Sequence, residues 1–205
     1  FRKNCVQGMT VIDIGAHLGL MSVITGQLVK TSGKVYAFEP APSTFITLQQ
    51  VIHLNNLSHV VECSNEAVFD KDSTIDFFIN QNEGSNANSL IQRNNKQNSL
   101  KIKTVTIDSF IERKKIEKLN IIKIDAEGVE YRILKGAKST LTKLKPMIIL
   151  SIHPVLIIKN NDSLKDIYDF LIGLNYNIYY QNQLLDENTF CTKEYFFDVH
   201  LFPII

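Results

Sequence analysis

The chain has 205 residues and a formal net charge of +1, from 22 lysines and arginines against 21 aspartates and glutamates. This balance gives no reason to expect nucleic-acid binding or electrostatic attachment to a membrane. No apolar run reaches the ~18 residues of a membrane span, so no span is expected.

The first 63 residues alternate between strand-like and helix-like patterns. The short apolar runs "TVIDIG" (10–15), "KVYAFEP" (34–40) and "HVVEC" (59–63) are typical of buried strands. Between them, residues 18–30 and 43–55 space their apolar side chains as helices do. Strands that alternate with helices of about a dozen residues predict right-handed βαβ units and a parallel sheet.

The middle of the chain has a different pattern. Residues 73–80 and 100–110 alternate apolar and polar side chains, which predicts two strands of a hairpin-like insertion over about 73–110. The polar stretch 81–99 between them is long for a connection in a compact domain, and we interpret it as a substrate loop. Side chains there that suit a polyol are Ser85, Asn86, Asn88 and Ser89.

The strand–helix alternation then resumes to the end of the chain. Strands are predicted at 120–125, 146–153, 176–181 and 194–203, and helices at 130–141 and 163–175. No repeat and no linker interrupts the pattern, so we predict a single domain over residues 1–205. Cys5, Cys63 and Cys191 are odd in number and far apart, which favours a reducing, cytoplasmic location. No signal peptide is visible, although the chain begins at Phe1.

The predicted strands end in polar residues, and ligands of an open parallel sheet bind beyond such ends. Asp13 precedes a tight turn at Gly15, where a carboxylate would repel a pyrophosphate and suit an ammonium group. Glu39 ends the second strand, where an acid commonly binds both ribose hydroxyls. A ribose-bearing ligand with a positive end and no phosphates describes S-adenosylmethionine, although Asp13 would also serve as a turn-stabilising side chain.

Four stretches resemble, in order, the FkbM-type methyltransferase family: "VIDIGAHLGLMS", "VYAFEPAPSTF", "NSL" and "IIKIDAEGVEYRILKGA". The resemblance implies an α/β fold with a Rossmann-like, doubly wound, mostly parallel seven-stranded sheet and helices on both faces. It also implies S-adenosylmethionine as cofactor and methylation of a hydroxyl on a small molecule, carbohydrate or glycolipid. Carried over by position, the cofactor contacts would be Asp13, Gly15, Ala16, His17, Gly19, Glu39, Glu66 and Ala67. Glu66 and Ala67 would lie beside the adenine, although "CSNEAV" lacks the aspartate usual there.

Three acids follow the strand at 120–125, namely Asp125, Glu127 and Glu130. Methyl transfer to a hydroxyl needs an aligned oxygen and a base that takes its proton. His153 ends the next strand, and we predict it as that base with Asp125 and Glu127 as further catalytic residues. Glu130 opens a helix and is predicted to act through the helix dipole, while Lys123 is predicted to pair with one of the acids or to reach the cleft edge.

Other interpretations remain open at this point. Asp125, Glu127 and His153 have the side-chain chemistry of divalent-cation ligands, although no metal is predicted. A nicotinamide-dependent oxidoreductase would share the sheet and the ribose acid, but the fingerprint G-x-G-x-x-G is absent. A non-catalytic binding module could retain the same fold. Nothing in the sequence specifies an oligomeric state.

Overall fold

The computed structural model describes residues 3–79 and 98–204. The first elements are β1 (Thr10–Ile14), α1 (Leu20–Val29), β2 (Lys34–Phe38), α2 (Pro42–Leu54), β3 (Val61–Ser64), β4 (Ala67–Val68), β5 (Ser73–Ile79), β6 (Asn98–Val105) and α3 (Ile107–Lys114). They are followed by β7 (Ile121–Ile124), α4 (Glu130–Lys135), α5 (Lys138–Lys143), β8 (Met147–Ile152), α6 (Pro154–Lys159), α7 (Leu164–Gly173), β9 (Tyr176–Tyr180), β10 (Gln183–Leu184), α8 (Glu187–Cys191) and β11 (Phe197–Pro203).

The main sheet contains eight strands in the order β10-β9-β11-β8-β7-β1-β2-β3. The five strands from β8 to β3 are parallel to their neighbours, whereas β11 is antiparallel to β8 and β9. One strand more than the expected seven is present because the two-residue β10 turns back along β9. Strand order reverses at β1, which lies between β2 and β7, so the crevice where such sheets bind ligands lies at the carboxyl ends of β1 and β7.

Both faces of the main sheet are covered, which explains the nearly continuous apolar runs of its central strands. Ile12 and Ile14 of β1 pack into the larger of two core clusters, together with Ile122 and Ile124 of β7. Val11 packs into the second cluster. Because neighbouring residues of a strand point to opposite faces, each central strand contributes to both clusters and is fixed in register by them.

A second, three-stranded sheet has the order β4-β6-β5, and β5 and β6 pair antiparallel. The predicted hairpin-like insertion is therefore present. Residues 81–97 of the expected substrate loop lie outside the described residues, including Ser85, Asn86, Asn88 and Ser89.

Several predicted boundaries were wrong: the last strand, predicted over 194–203, begins at Phe197, and side-chain caps explain two others. The strand predicted over 100–110 ends at Val105, because Thr106 Oγ1 accepts the N–H of Ser109 and begins α3. The helix predicted over 130–141 is divided into α4 and α5. Asp108 of α3 accepts hydrogen bonds from the N–H groups of Ser139 and Thr140, and so caps a second helix start that the periodicity concealed.

Candidate functional site

The polar strand ends meet at one edge of the main sheet. Asp13 and Glu39 lie at the ends of β1 and β2, Asp125 follows β7, and His153 follows β8. These four strands are consecutive neighbours and parallel, so their carboxyl ends lie side by side. The topology therefore brings the predicted cofactor residues and the predicted catalytic residues to a common crevice.

Asp13 is buried beneath the turn that follows β1, with 2% of its surface exposed. Its Oδ2 accepts a 2.6 Å hydrogen bond from Ser22 Oγ of α1. Lys123 of β7 lies opposite Asp13 in the sheet, and its Nζ is 3.2 Å from Asp13 Oδ1. Lys123 is thus closest to Asp13, which is not one of the three acids predicted as its partner; of those three, Asp125 has its Oδ2 3.8 Å from Lys123 Nζ. The contacts of Asp13 with Ser22 and Lys123 also fit its alternative role as a turn-stabilising side chain. Because the Lys123 ammonium balances the Asp13 carboxylate, the argument that Asp13 repels a pyrophosphate is weaker.

Gly15 packs against the backbone of the acidic turn after β7. Its φ is +72°, and a Cβ at this position would lie 1.9 Å from the carbonyl oxygen of Asp125. Asp125 N–H donates to Ile14 O at 3.2 Å, and Lys123 Nζ donates to Gly15 O at 2.9 Å. The turn after β1 and the turn after β7 therefore form one packed unit, and only glycine fits at position 15.

The rest of the predicted methionine-binding turn leads into α1. Ala16 N–H donates to Phe38 O at 2.9 Å, while the His17 side chain is exposed. Gly19 has a φ of +90°, and a Cβ there would lie 2.7 Å from Leu48 Cδ1 of α2. Packing of the chain itself thus requires Gly19. The first turn of α1 contains no acidic residue and no side-chain cap, so its N–H groups suit a carboxylate.

Glu39 joins two loops at the end of β2. Its Oε2 accepts the N–H of His17 and its Oε1 accepts the N–H of Ala41, both at 2.9 Å. Burial raises the pKa of Glu39, while these two backbone hydrogen bonds oppose the rise. Each carboxylate oxygen has a second lone pair, so both can still accept a ribose hydroxyl.

Glu66 and Ala67, the predicted adenine neighbours, differ in what they offer a ligand. Ser64 Oγ donates to Glu66 Oε2 at 2.7 Å, and Arg113 Nη2 lies 3.3 Å from the same oxygen. Ala67 is buried in β4 against the core of the small sheet, so its methyl group offers almost no surface. A cleft of about 280 Å³ beside Glu66 is lined by the aromatic rings of Tyr36, Phe38 and Phe110.

His153 is within hydrogen-bond distance of Glu130, the acid that the sequence predicts to act through the helix dipole. Glu130, the first residue of α4, is fully buried, and its Oε1 lies 2.7 Å from His153 Nδ1. The same oxygen accepts the N–H of Gly128 at 2.9 Å. Because Glu130 Oε1 accepts the N–H of Gly128, we assign it as an acceptor towards the ring as well; in the neutral imidazole the hydrogen is then on Nδ1 and the free lone pair on Nε2.

The two other acids surround the opposite side of the imidazole. His153 Nε2 lies 3.7 Å from Asp125 Oδ1 and 4.0 Å from Glu127 Oε1. Burial lowers the pKa of His153, but the hydrogen bond and charge of Glu130, with the charges of Glu127 and Asp125, outweigh it, and the net direction is upward. The predicted catalytic residues are thus brought together, and the sequence interpretation missed the contact of Glu130 with His153.

The backbone of the acidic turn is itself fixed. Glu127 has a φ of +54°, and Gly128 has a φ of +100°. A Cβ on Gly128 would lie 2.5 Å from Leu156 Cβ of α6, and Asn160 Nδ2 donates to Gly128 O at 2.6 Å. These contacts to α6 hold the turn so that its carboxylates surround His153.

Within residues 3–79 and 98–204, no cluster of three or more histidine, cysteine, aspartate or glutamate side chains has an arrangement able to bind a metal ion. No helix in the same described ranges is long and apolar enough to cross a membrane.

Solved structures superpose on this chain at low sequence identity. A crystal structure named methyltransferase FkbM from Methylobacillus flagellatus KT superposes with a TM-score of 0.58 and 18% identity, over 95% of this chain and 43% of that one. A putative rRNA-methylase from Clostridium thermocellum gives a TM-score of 0.60 with 12% identity, over 100% of this chain and 91% of that one. At these identities the likeness shows the Rossmann-like fold alone.

Among sequence relatives, the hexuronic acid methyltransferase AglP of Haloferax volcanii is 26% identical over 141 residues, which are 69% of this chain and 54% of the relative. The chain spans about half the length of the curated relatives that it matches. The pattern that defines the methyltransferase FkbM domain matches residues 13–178, which include every strand end described above. The chain therefore belongs to the methyltransferase FkbM domain family.

Proposed function

We propose that this chain is an S-adenosylmethionine-dependent methyltransferase that methylates a hydroxyl group, and that the acceptor is a carbohydrate. The observation that carries the proposal is the 2.7 Å contact between fully buried Glu130 and His153. Both residues lie at the crevice beside the switch in strand order and within the residues that match the family pattern. A buried carboxylate that orients an imidazole is the arrangement of a general base, because it fixes the tautomer and stabilises the protonated ring.

The residues at the ends of β1 and β2 fit the proposed cofactor. Glu39 has lone pairs for two hydroxyls, and Asp13 Oδ1, which lies 3.2 Å from Lys123 Nζ, accepts no aligned hydrogen bond from any described residue. The contacts proposed for the cofactor remain Asp13, Gly15, Ala16, His17, Gly19, Glu39, Glu66 and Ala67. S-adenosylmethionine would supply an electrophilic methyl group on a sulfonium centre.

The residues around His153 would activate the acceptor. Its Nε2 would take the proton of the acceptor hydroxyl while Glu130 holds the Nδ1–H. Asp125 and Glu127, at 3.7 and 4.0 Å from Nε2, would stabilise the imidazolium that forms. A positioned base of this kind typically contributes about 10²–10⁴-fold to rate.

The carbohydrate part of the proposal is supported by the relative whose name specifies a hexuronic acid. A sugar presents several hydroxyls, and the proposed base acts on the oxygen that is placed at Nε2 of His153. Positioning of the sugar ring, rather than intrinsic hydroxyl reactivity, would then decide which oxygen is methylated.

Isothermal titration with S-adenosylmethionine, and with NADH in parallel, tests the cofactor. We expect micromolar binding of S-adenosylmethionine and weaker binding in Glu39→Gln, while Glu117→Gln, a change at an exposed acid, binds as the wild type does. Because Glu39 also fixes the loops of His17 and Ala41, each variant is first checked for an unchanged melting temperature. Binding of NADH without binding of S-adenosylmethionine would overturn the proposal in favour of the oxidoreductase.

Transfer of labelled methyl groups to a panel of methyl glycosides tests the base. His153→Ala should lower turnover by about 10²–10⁴-fold and leave the affinity for S-adenosylmethionine unchanged. The matched control is His53→Ala, which removes an exposed imidazole of α2. Full turnover in His153→Ala would remove His153 from the mechanism.

A further inference from the structure

The segment that leads into β11 lies beside the candidate base. β11 is antiparallel to β8, with Phe197 opposite Ile152, so the start of β11 lies at the same edge of the sheet as His153. β9 is antiparallel to β11 in turn, and its last residue, Tyr180, also reaches that edge. The residues before β11 therefore border the crevice on the side away from Glu39 and the proposed ribose site.

Two aromatic side chains of this segment are unusually open to solvent. Tyr195 is 83% exposed and Phe196 is 57% exposed. The Phe196 ring centroid lies 5.0 Å from that of His153, at an interplanar angle of 49°. A large apolar surface next to a catalytic group is a common feature of ligand sites, because it is desolvated only when the ligand arrives.

The lysine side chain of Lys193 lies with these two aromatic residues in the wall of a cavity. The cavity has a volume of about 340 Å³, and its walls include Lys193, Glu194, Tyr195 and Phe196. Lys193 Nζ lies 4.0 Å from the ring centroid of Tyr180, above the ring face. In the described part of the chain no carboxylate forms an ion pair with Lys193, whose ammonium is thus held by a ring rather than by an acid.

We propose that this cavity is the acceptor subsite and that it takes a pyranose bearing a carboxylate. The apolar C–H face of the sugar ring would pack on Phe196 and Tyr195, whose ring faces carry partial negative charge. The sugar carboxylate would pair with Lys193, and a ring hydroxyl would donate to the exposed Glu194. Because the Phe196 ring centroid is 5.0 Å from that of His153, a sugar that packs on Phe196 would place a neighbouring hydroxyl beside the imidazole. This inference rests on the proposed methyltransferase function and adds the class and orientation of its acceptor.

The test compares two sugars that differ only in the acid group, methyl β-D-glucuronide and methyl β-D-glucoside. Each is titrated, with binding followed by saturation-transfer NMR, into full-length protein saturated with S-adenosylhomocysteine. We expect the glucuronide to bind at least about 10-fold more tightly, a difference of about 1.4 kcal/mol. Lys193→Met should remove this preference without changing the affinity for the glucoside, and Lys193→Arg, which retains the charge, should keep it.

Phe196→Leu should weaken both sugars about 10-fold, since it removes the ring face while it keeps an apolar side chain. Its control is Phe202→Leu, an aromatic ring near the other end of β11 that contacts Tyr179. Equal affinity of the two sugars for the wild type, an unchanged preference in Lys193→Met, or no saturable binding of either sugar overturns the inference. Titration of S-adenosylmethionine into protein free of S-adenosylhomocysteine separates the two failures: retained cofactor binding rejects only the subsite, whereas lost binding rejects the function.

Discussion

Two neighbouring strand ends contain buried acids, and their partners differ in kind. At the end of β1, Asp13 faces the ammonium of Lys123 at 3.2 Å and the hydroxyl of Ser22 at 2.6 Å. After β7, Glu130 faces the imidazole of His153 at 2.7 Å. The first pair links β1 to β7 inside the sheet, so it is an element of the fold. An imidazole gains and loses a proton near neutral pH, so the second pair can do acid–base chemistry.

The two regions also differ in how far their acids are withdrawn from solvent. Asp13 and its lysine are enclosed, with 11% of the Lys123 side chain exposed. Around His153 only Glu130 is enclosed, while Asp125 and Glu127 are partly exposed and border the crevice. The comparison teaches that acids gathered at one sheet edge differ in their partners, since Asp13 has a lysine and Glu130 has an imidazole, and that only the imidazole can exchange a proton near neutral pH.

The largest effect is expected from Gly15→Ala, which breaks the packing that joins the two regions. The added methyl would meet Asp125 O, and alanine would be strained at a φ of +72°. We expect the free energy of unfolding to fall by about 4 kcal/mol, measured by urea denaturation. The matched control is Gly173→Ala in α7, where a Cβ meets no atom within 4 Å. Equal stability of the two variants would contradict the close contact.

Lys123→Met sharpens the comparison by removing the cation beside Asp13, together with its hydrogen bond to Gly15 O. It leaves the Asp13 carboxylate buried without its charge partner, and we expect a loss of about 3 kcal/mol in the free energy of unfolding. The double variant Lys123→Met/Asp13→Asn should recover part of this loss, because the buried charge is gone as well. Additive effects of the two changes in a double-mutant cycle would show that the pair is not coupled.

The sequence predicted which residues lie together at the sheet edge better than it predicted the boundaries of the elements. Strand ends are marked by abrupt changes from apolar to polar residues, and a parallel sheet brings such ends together whatever their separation along the chain. Asp13, Glu39, Asp125 and His153 were placed together in this way, and their roles stay predictions. The expected number of strands, seven, was one too low, because the two-residue strand β10 is too short to give a sequence pattern.

What the sequence could not show depends on contacts between distant residues. Glu130 looked like an ordinary first residue of a helix, and only the position of β8 beside β7 places His153 against it. The break between α4 and α5 has a similar origin, because the capping carboxylate of Asp108 comes from α3. Two polar partners that are 20 or 30 residues apart give no periodic pattern in the sequence, whereas the apolar face of a helix or strand gives one.

Glu130→Gln tests whether the second acid acts through the base. The amide keeps the shape of the buried side chain and removes its charge, so we expect turnover to fall about 10-fold, a typical loss when a positioning partner of a catalytic group is changed. Without the Glu130 charge the pKa of His153 falls, and the acid limb of the pH profile of kcat should move to lower pH. Glu117→Gln is the control, and an acid limb that stays in place would show that Glu130 has only a structural role.

The smallest effect concerns stability as a function of pH, and it separates the two acid pairs directly. In the unfolded chain His153 titrates near its ordinary pKa of about 6.5, and in the folded chain that pKa is raised. Its stabilising contribution is therefore complete below about pH 6.5 and is lost as the pH rises through the folded value. Glu130 from α4 and Asp125 and Glu127 from the turn after β7 are the charges that face the ring, and the Phe196 ring also contacts it.

Urea midpoints measured from pH 5 to 9 should thus show the wild type losing its advantage in stability over His153→Gln as the pH rises. In Lys123→Met the same decline should persist, displaced to lower stability, because Glu130 makes the 2.7 Å contact with His153, whereas Lys123 lies 3.8 Å from Asp125. A wild-type advantage that grows with pH would mean that His153 is buried in its neutral form and would exclude the raised pKa.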